Sequence, residues 1–559
     1  MTRRALDVDL LVAGSGAGGM TAALAAHGLG LRVAVVEKSD FWGGSTARSG
    51  GNIWVPNCPT LVAEGCADDP DDLRTYLRSE AAGRATEDRI DAFVDAAPRA
   101  FAFLAGQSPH LRFQHCRDYP DYHPERPGGS CTGRAIEPLP FDLRRLGRAL
   151  ATTIQPPGIR VPMGLWATTQ EVRDLAMLTR TPGGRRMALR MAGRLVRVLT
   201  GNPRVALGRS LAGRLRLALL EAGVPVLLGA PIEQLAITDG RVVGAQIGGS
   251  DPLDVRCRGV VLATGGFDHA QLLRELHHAM PGWSAGAATN TGDGHLIGQE
   301  VGGAVALMDE AWWMPALALP DGEVRCLVVE RGIPNALVVN ERAQRFTNEA
   351  KPYGDFVRDQ RAQSSSGDAP VWFICDAAAR RRYQFASILP GQPFPRSWYR
   401  AGIVHKADSV PELAASVGLP FPTLVETVGR FNAIARCGKD IDFGRGDSAY
   451  DRYFGDPRHR NPCFAPLGRG PYYAIRIVPG DLGTKGGLVT DADARVLRAD
   501  GTAIEGLWAT GNVTASVMGD GYAGAGATIG PAMVFGYVAA CDAARRIDRP
   551  SVATTAAGC

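Results

Sequence analysis

The chain has 559 residues, 45% of them hydrophobic and 21% charged, and carries a formal net charge of +4. That length exceeds one ordinary core and predicts two domains, or one elaborated by insertion; the composition is that of a globular enzyme and excludes a disordered or fibrous chain. So small a charge implies no nucleic-acid partner. The eleven cysteines are scattered singly with no CxxC pair, which predicts neither a metal site nor a dithiol centre and fits a reduced cytoplasm. No apolar run reaches the roughly 18 residues of a membrane-spanning helix. The opening arginine pair and apolar run superficially match an export signal, but Asp7 and Asp9 interrupt the run, and cleavage beyond it would remove the glycine motif that follows.

In chain order, the first motif is VDLLVAGSGAGGMTAALAAHGLGLRVAVVEKSD, Val8 to Asp40. It reads as a strand, a tight turn, a small-residue helix and a second strand. Gly14, Gly16 and Gly19 make GxGxxG, whose glycines allow the turn, the approach of a pyrophosphate and helix packing on the strand. Glu37 ends the second strand at the spacing of a carboxylate for ribose hydroxyls. Ser15, Gly18 and Lys38 complete the expected contact set.

The next stretch, FWGGSTARSGGNIW, Phe41 to Trp54, favours FAD over NAD. Gly43, Gly44, Ser45 and Thr46 offer backbone and hydroxyl donors, while Ser49, Gly50 and Gly51 would let a flat ring lie against the backbone. Further on, GVVLATGGF supplies Ala263, Thr264 and Gly265, and GLWATGN supplies Gly511 and Asn512, from two later strands. The FAD site is therefore expected to use both ends of the chain.

Residues 165–216 are rich in arginine and poor in acid. After a Pro182-Gly183-Gly184 break, Arg186, Arg190, Arg194 and Arg197 recur at helical spacing beside Met187, Met191, Leu195 and Val198. Such a basic amphipathic helix can lie among lipid headgroups on the inner face of the cytoplasmic membrane, or pack on protein. Asp239-Gly240 is a hairpin signal ahead of the third nucleotide strand. The run GPAMVFGYVAACDAARRI reads as a helix with Pro531 near its first turn.

These nucleotide-binding segments resemble the fumarate reductase and succinate dehydrogenase flavoprotein superfamily. That resemblance implies an α/β fold: a Rossmann-like FAD-binding domain, 1–275 and 456–559, with an inserted α+β catalytic domain, 276–455. No histidine stands in TARSGG, where some members attach the flavin, so non-covalent FAD is expected. The segment DLGTKGG, Asp481 to Gly487, lacks the histidine with which fumarate reductases read a dicarboxylate.

With YPDYHPERPGG, RFTNEAKPYGDF and GYAGAGATIGPAMVFGY, it resembles the 3-ketosteroid Δ1-dehydrogenases over nearly the whole chain except about 150–205. The resemblance implies that Tyr122, Tyr353, Tyr522 and the backbone amide of Gly526 line the catalytic site. Tyr522 and Gly526 would polarise a 3-ketone, Tyr353 would take the alpha proton, and Tyr122 would support it. Tyr119, three residues before Tyr122, competes for that place, and His123 reads as a loop residue. Expected partners are a 3-ketosteroid and a quinone or similar electron acceptor. The rivals are a steroid 4-dehydrogenase, a cyclohexanone dehydrogenase, or a non-catalytic flavin protein at a membrane surface.

Overall fold

Leu10–Ala13 and Val33–Val36 form adjacent parallel strands, every residue buried, joined by the helix Ala17–Gly28. Continuous apolar runs are what a sheet covered on both faces requires. The structure, a computed structural model, describes residues 3–199, 204–279, 282–363 and 370–547. The sheet extends through Val226–Leu227 on one side and through Val260–Leu262 and Ala503–Ala509 on the other, all parallel, with Arg495–Leu497 antiparallel at the edge. Val260 pairs with Leu11 on one flank and Leu507 on the other. Both ends of the chain thus enter one sheet.

The C-terminal helix Ile529–Ile547 lies across Ala17–Gly28. A Cβ on Gly536 would sit 2.5 Å from the Gly18 carbonyl oxygen, and one on Gly18 would sit 2.9 Å from that of Ala532. The two backbones touch because neither residue carries a side chain. A smaller sheet, Arg4–Asp7, Leu253–Arg256, Arg241–Ile247 and Ile232–Thr238, contains the expected hairpin. Asp239 and Gly240 have φ of 50° and 73°, the two left-handed residues that suit the twist of a two-residue connection.

A second large sheet is antiparallel: Val324–Cys326, Ala311–Ala318, Tyr472–Thr484, Val371–Cys375 and Ala336–Val339, with Val404–Ala407 also on Tyr472–Thr484. Its core gathers Trp313, Phe356, Phe373, Tyr383 and Ile477. The central strand follows residue 455, at which the sequence reading ended the inserted domain. The α/β fold class is the one expected, with an antiparallel sheet beside the nucleotide-binding one.

Pro182–Leu199 is one helix. The Pro-Gly-Gly segment, expected as a break before it, is instead its first turn, where proline fits because the N–H it lacks would have no helical partner. Among the described residues no helix is long and apolar enough to cross a membrane.

Candidate active site

One continuous cleft runs between the two sheets. Its nucleotide end is walled by Gly14, Ser15, Gly16, Gly18, Glu37, Lys38, Gly44, Ser45 and Thr46, and its inner part by Ser49, Gly50, Gly51, Ala263, Thr264, Gly265, Gly511 and Asn512. Gly19 and Gly43 do not face the cleft. They act behind it: a Cβ on Gly19 would fall 2.0 Å from the Gly14 carbonyl oxygen, and the Gly43 N–H donates to Ser15 Oγ at 2.9 Å.

Glu37 is buried and already accepts from the Ser15 N–H at 2.9 Å, Ser15 Oγ at 2.6 Å and the Ser39 N–H at 3.0 Å. It therefore shapes the turn as well as bordering the cleft. Lys38 is bound to Thr291 and, at 2.8 Å, to Asp293. Thr46 Oγ1 accepts from the Ala17 N–H at 2.9 Å and Ser45 Oγ from the Ala287 N–H at 2.9 Å, so the second loop is locked to both sides of the cleft. The Thr264 hydroxyl is buried without a partner, and it borders the cleft. A buried, unpaired hydroxyl at the wall of a cleft is free to bond a molecule placed there. With the N-terminus of Ala17–Gly28 aimed at the same space, the residues fit an FAD whose pyrophosphate lies at the helix end.

At the cleft's inner end Tyr122, Tyr353 and Tyr522 come together from a loop, the start of the helix Tyr353–Arg361 and the loop before Ile529. All three are buried. The Tyr122 and Tyr353 hydroxyls lie 2.7 Å apart, and the three ring centres are 5.0 to 5.1 Å from one another. Gly526 borders the same space with φ of 91°; a Cβ there would stand 2.2 Å from the Asn52 carbonyl oxygen. Only glycine fits.

Electrostatics set the phenols apart. Burial pushes Tyr122 and Tyr353 well above the usual phenol range, and neighbouring phenols add to it, whereas the Tyr122 bond works to lower Tyr353. Tyr522 is pushed up to about 12 by burial, against which the Tyr353 and Thr528 hydroxyls work. Nearby, the buried Arg331 guanidinium is bound to the carbonyls of Leu327, Glu349 and Lys351. Burial pushes Tyr450, which packs on Tyr122, above the usual phenol range, and the Arg331 charge only works against that.

A family model described as an FAD binding domain matches residues 9–529. The 3-oxosteroid 1-dehydrogenase of Mycolicibacterium smegmatis is 43% identical over 96% of this chain and 97% of that protein. The crystal structure of 3-ketosteroid Δ1-dehydrogenase from Sterolibacterium denitrificans in complex with 1,4-androstadiene-3,17-dione superposes with a TM-score of 0.90 at 38% identity, covering 97% of this chain and 100% of that one. This chain belongs to the 3-ketosteroid Δ1-dehydrogenase family. It is an FAD-dependent oxidoreductase, as the glycine and tyrosine motifs indicated. A 4-oxocyclohexanecarboxylate 2-dehydrogenase from Sinomonas cyclohexanicum is also similar, 36% identical over 95% of this chain and 92% of that protein.

In this member of the Δ1-dehydrogenase family the structure places further residues in or beside the cleft. Tyr119 stacks on Tyr453 with ring centres 4.5 Å apart and borders the cleft, yet Tyr122, not Tyr119, bonds Tyr353. Trp312 stands edge-on to Tyr522 at 4.7 Å. Val172 and Leu175, from the arginine-rich segment, also line the cleft. Lys485 caps a turn: its ammonium donates to the carbonyls of Gly519, Asp520 and Gly521, and burial lowers it to about 7. The helix Pro182–Leu199 corrects one expectation. Arg194 is buried, bound to Glu171 at 2.6 Å and lying 3.5 Å above the Trp166 ring, so it belongs to the protein and not to an outer basic face.

Proposed function

We propose that the protein introduces the 1,2 double bond into 3-ketosteroids. The observation that carries this reading is the bonded Tyr122–Tyr353 pair facing Tyr522 and Gly526 at the inner end of the FAD cleft. Desaturation removes a proton from carbon 2 and a hydride, with its electron pair, from carbon 1. FAD supplies the hydride acceptor.

The chain's own residues handle the charge. The Tyr522 hydroxyl and the Gly526 N–H donate to the ketone oxygen, on which negative charge grows as the proton leaves; donors held in place beforehand stabilise such charge best. Tyr353 takes the carbon-2 proton, and the Tyr122 hydroxyl donates to its oxygen. A phenol suits this apolar space better than a carboxylate, whose unpaired burial is costly. A quinone or similar two-electron acceptor is the proposed final oxidant.

Anaerobic mixing with a 3-ketosteroid saturated at carbons 1 and 2 tests the reading. Loss of flavin absorbance and a new double bond between carbons 1 and 2, giving a 1,4-diene from a 4-ene substrate, are expected. The similarity to the Sinomonas enzyme favours a second reading, desaturation of a smaller cyclic ketone. Faster bleaching by 4-oxocyclohexanecarboxylate than by the steroid would establish it. FAD is proposed to be non-covalent, so acid precipitation should leave the yellow colour in solution.

We also propose that the protein sits peripherally on the inner face of the cytoplasmic membrane. Support comes from the outer face of Pro182–Leu199, where Leu189 and Val196 are 76% and 60% exposed among Arg186, Arg190 and Arg197. A lipid surface would cover the apolar residues and attract the basic ones.

A further inference from the structure

Behind the three phenols lies a buried ionic chain that no step above uses. His123 Nδ1 is 2.7 Å from Glu80 Oε1, and Nε2 is 2.6 Å from Asp355 Oδ2. Ionised carboxylates only accept, so both ring nitrogens must donate and the ring is an imidazolium. The other oxygen of Glu80 accepts the backbone N–H of Tyr522 at 3.1 Å. Each link is therefore tied to a phenol: His123 follows Tyr122, Asp355 follows Tyr353 at the second position, and Glu80 accepts the backbone N–H of Tyr522.

Each group has further partners. Arg126 donates to Glu80 at 2.8 Å, and Arg358 to Asp355 at 2.9 Å. The His123 backbone N–H lies 3.4 Å from the Tyr76 hydroxyl, which donates at 2.7 Å to the Ala523 carbonyl. That same carbonyl accepts the Tyr122 N–H at 3.1 Å. Lys485 and Asp520 border a small cavity beside His123 and Tyr522. Tyr119, Tyr450 and the Arg331 guanidinium face the phenols from the other elements.

We propose that His123 is a positioning residue: its imidazolium, clamped between Glu80 and Asp355, holds the three tyrosine segments in register so that the Tyr122 hydroxyl stays bonded to Tyr353. The inference rests on the tyrosine mechanism proposed above. A displacement of about 1 Å at a reacting group costs on the order of 100-fold in rate, and a loop tyrosine meeting a helix tyrosine has no covalent means of keeping 2.7 Å.

The test is a double-mutant cycle on the FAD-loaded enzyme, read as solvent-deuterium exchange at carbon 2 of a 3-ketosteroid and as flavin bleaching. His123→Gln should slow exchange by on the order of 10- to 100-fold, with FAD content kept, and should move the rise of the rate with pH to higher pH. In a Tyr122→Phe background the same change should add less than about twofold, because residues acting through one contact are not additive. Asp355→Asn, which leaves the Glu80–His123 pair intact, should give the same pattern more weakly and serves if the glutamine variant does not fold. Equal effects with and without Tyr122, or an unshifted pH profile, would overturn the clamp. No exchange or bleaching in the parent enzyme would overturn the tyrosine mechanism, and the clamp with it.

Discussion

In the proposed mechanism the phenols divide one reaction into two charge problems, and their variants should separate accordingly. Tyr522→Phe removes one donor to the ketone and should lower the rate about 100- to 1000-fold, with FAD still bound. Tyr353→Phe removes the base, so deuterium exchange and flavin reduction should both nearly cease. Tyr122→Phe leaves the base without its donor; a smaller loss, partly recovered at high pH, is expected in stopped-flow reduction. Burial raises Tyr353 above the ordinary phenol, and only the ionised form is a base. The rate of the parent enzyme should thus climb with pH into the alkaline range, and a profile falling above neutrality would contradict Tyr353 as base. The choice between Tyr119 and Tyr122 could not be read from spacing, because a partner 231 positions away makes the 2.7 Å contact that separates them. His123 read as a loop residue for the same reason: both its carboxylate partners are distant in sequence.

At the scale of elements, the contact between Ala17–Gly28 and Ile529–Ile547 depends on bare glycines. Gly536→Ala would gain helix propensity but drive a methyl into the Gly18 carbonyl; overpacking of this kind costs about 1–3 kcal/mol. A lower urea midpoint together with reduced FAD content is expected, since Gly18 also borders the cleft. The helix Pro182–Leu199 offers a different test. Replacing Arg186, Arg190 and Arg197 by Glu should abolish flotation with anionic vesicles, and salt should release the parent only in part, because screening does not touch the apolar contribution. Arg194→Glu is expected to harm folding instead, since it would set a carboxylate beside Glu171. Strands, the glycine turn and the Asp-Gly hairpin were legible because their signals are local. The inward turn of Arg194 was not, since helical spacing says which residues share a face but not what the face meets.

For the whole molecule, stability should carry the signature of the buried imidazolium. His123 is raised from an ordinary 6.5 to about 9 by the Asp355 and Glu80 bonds, which outweigh burial. Its contribution is fully present below about pH 6.5 and is lost as pH rises through about 9. The unfolding temperature of the parent should therefore fall between pH 7 and pH 10 more steeply than that of His123→Gln, measured by scanning calorimetry at fixed FAD concentration.

The sheet that seats FAD takes its strands from Leu10–Ala13 and, near the other end of the chain, from Ala503–Ala509. The site thus cannot exist during most of synthesis: a nascent chain has made its glycine turn long before the strand and helix that close it emerge. FAD capture then reports completion, and a chain cut short before residue 503 should be translated without ever turning yellow. Such long-range pairing also makes closure slow, leaving the outer edge of Val260–Leu262 exposed until the last tenth of the polypeptide arrives.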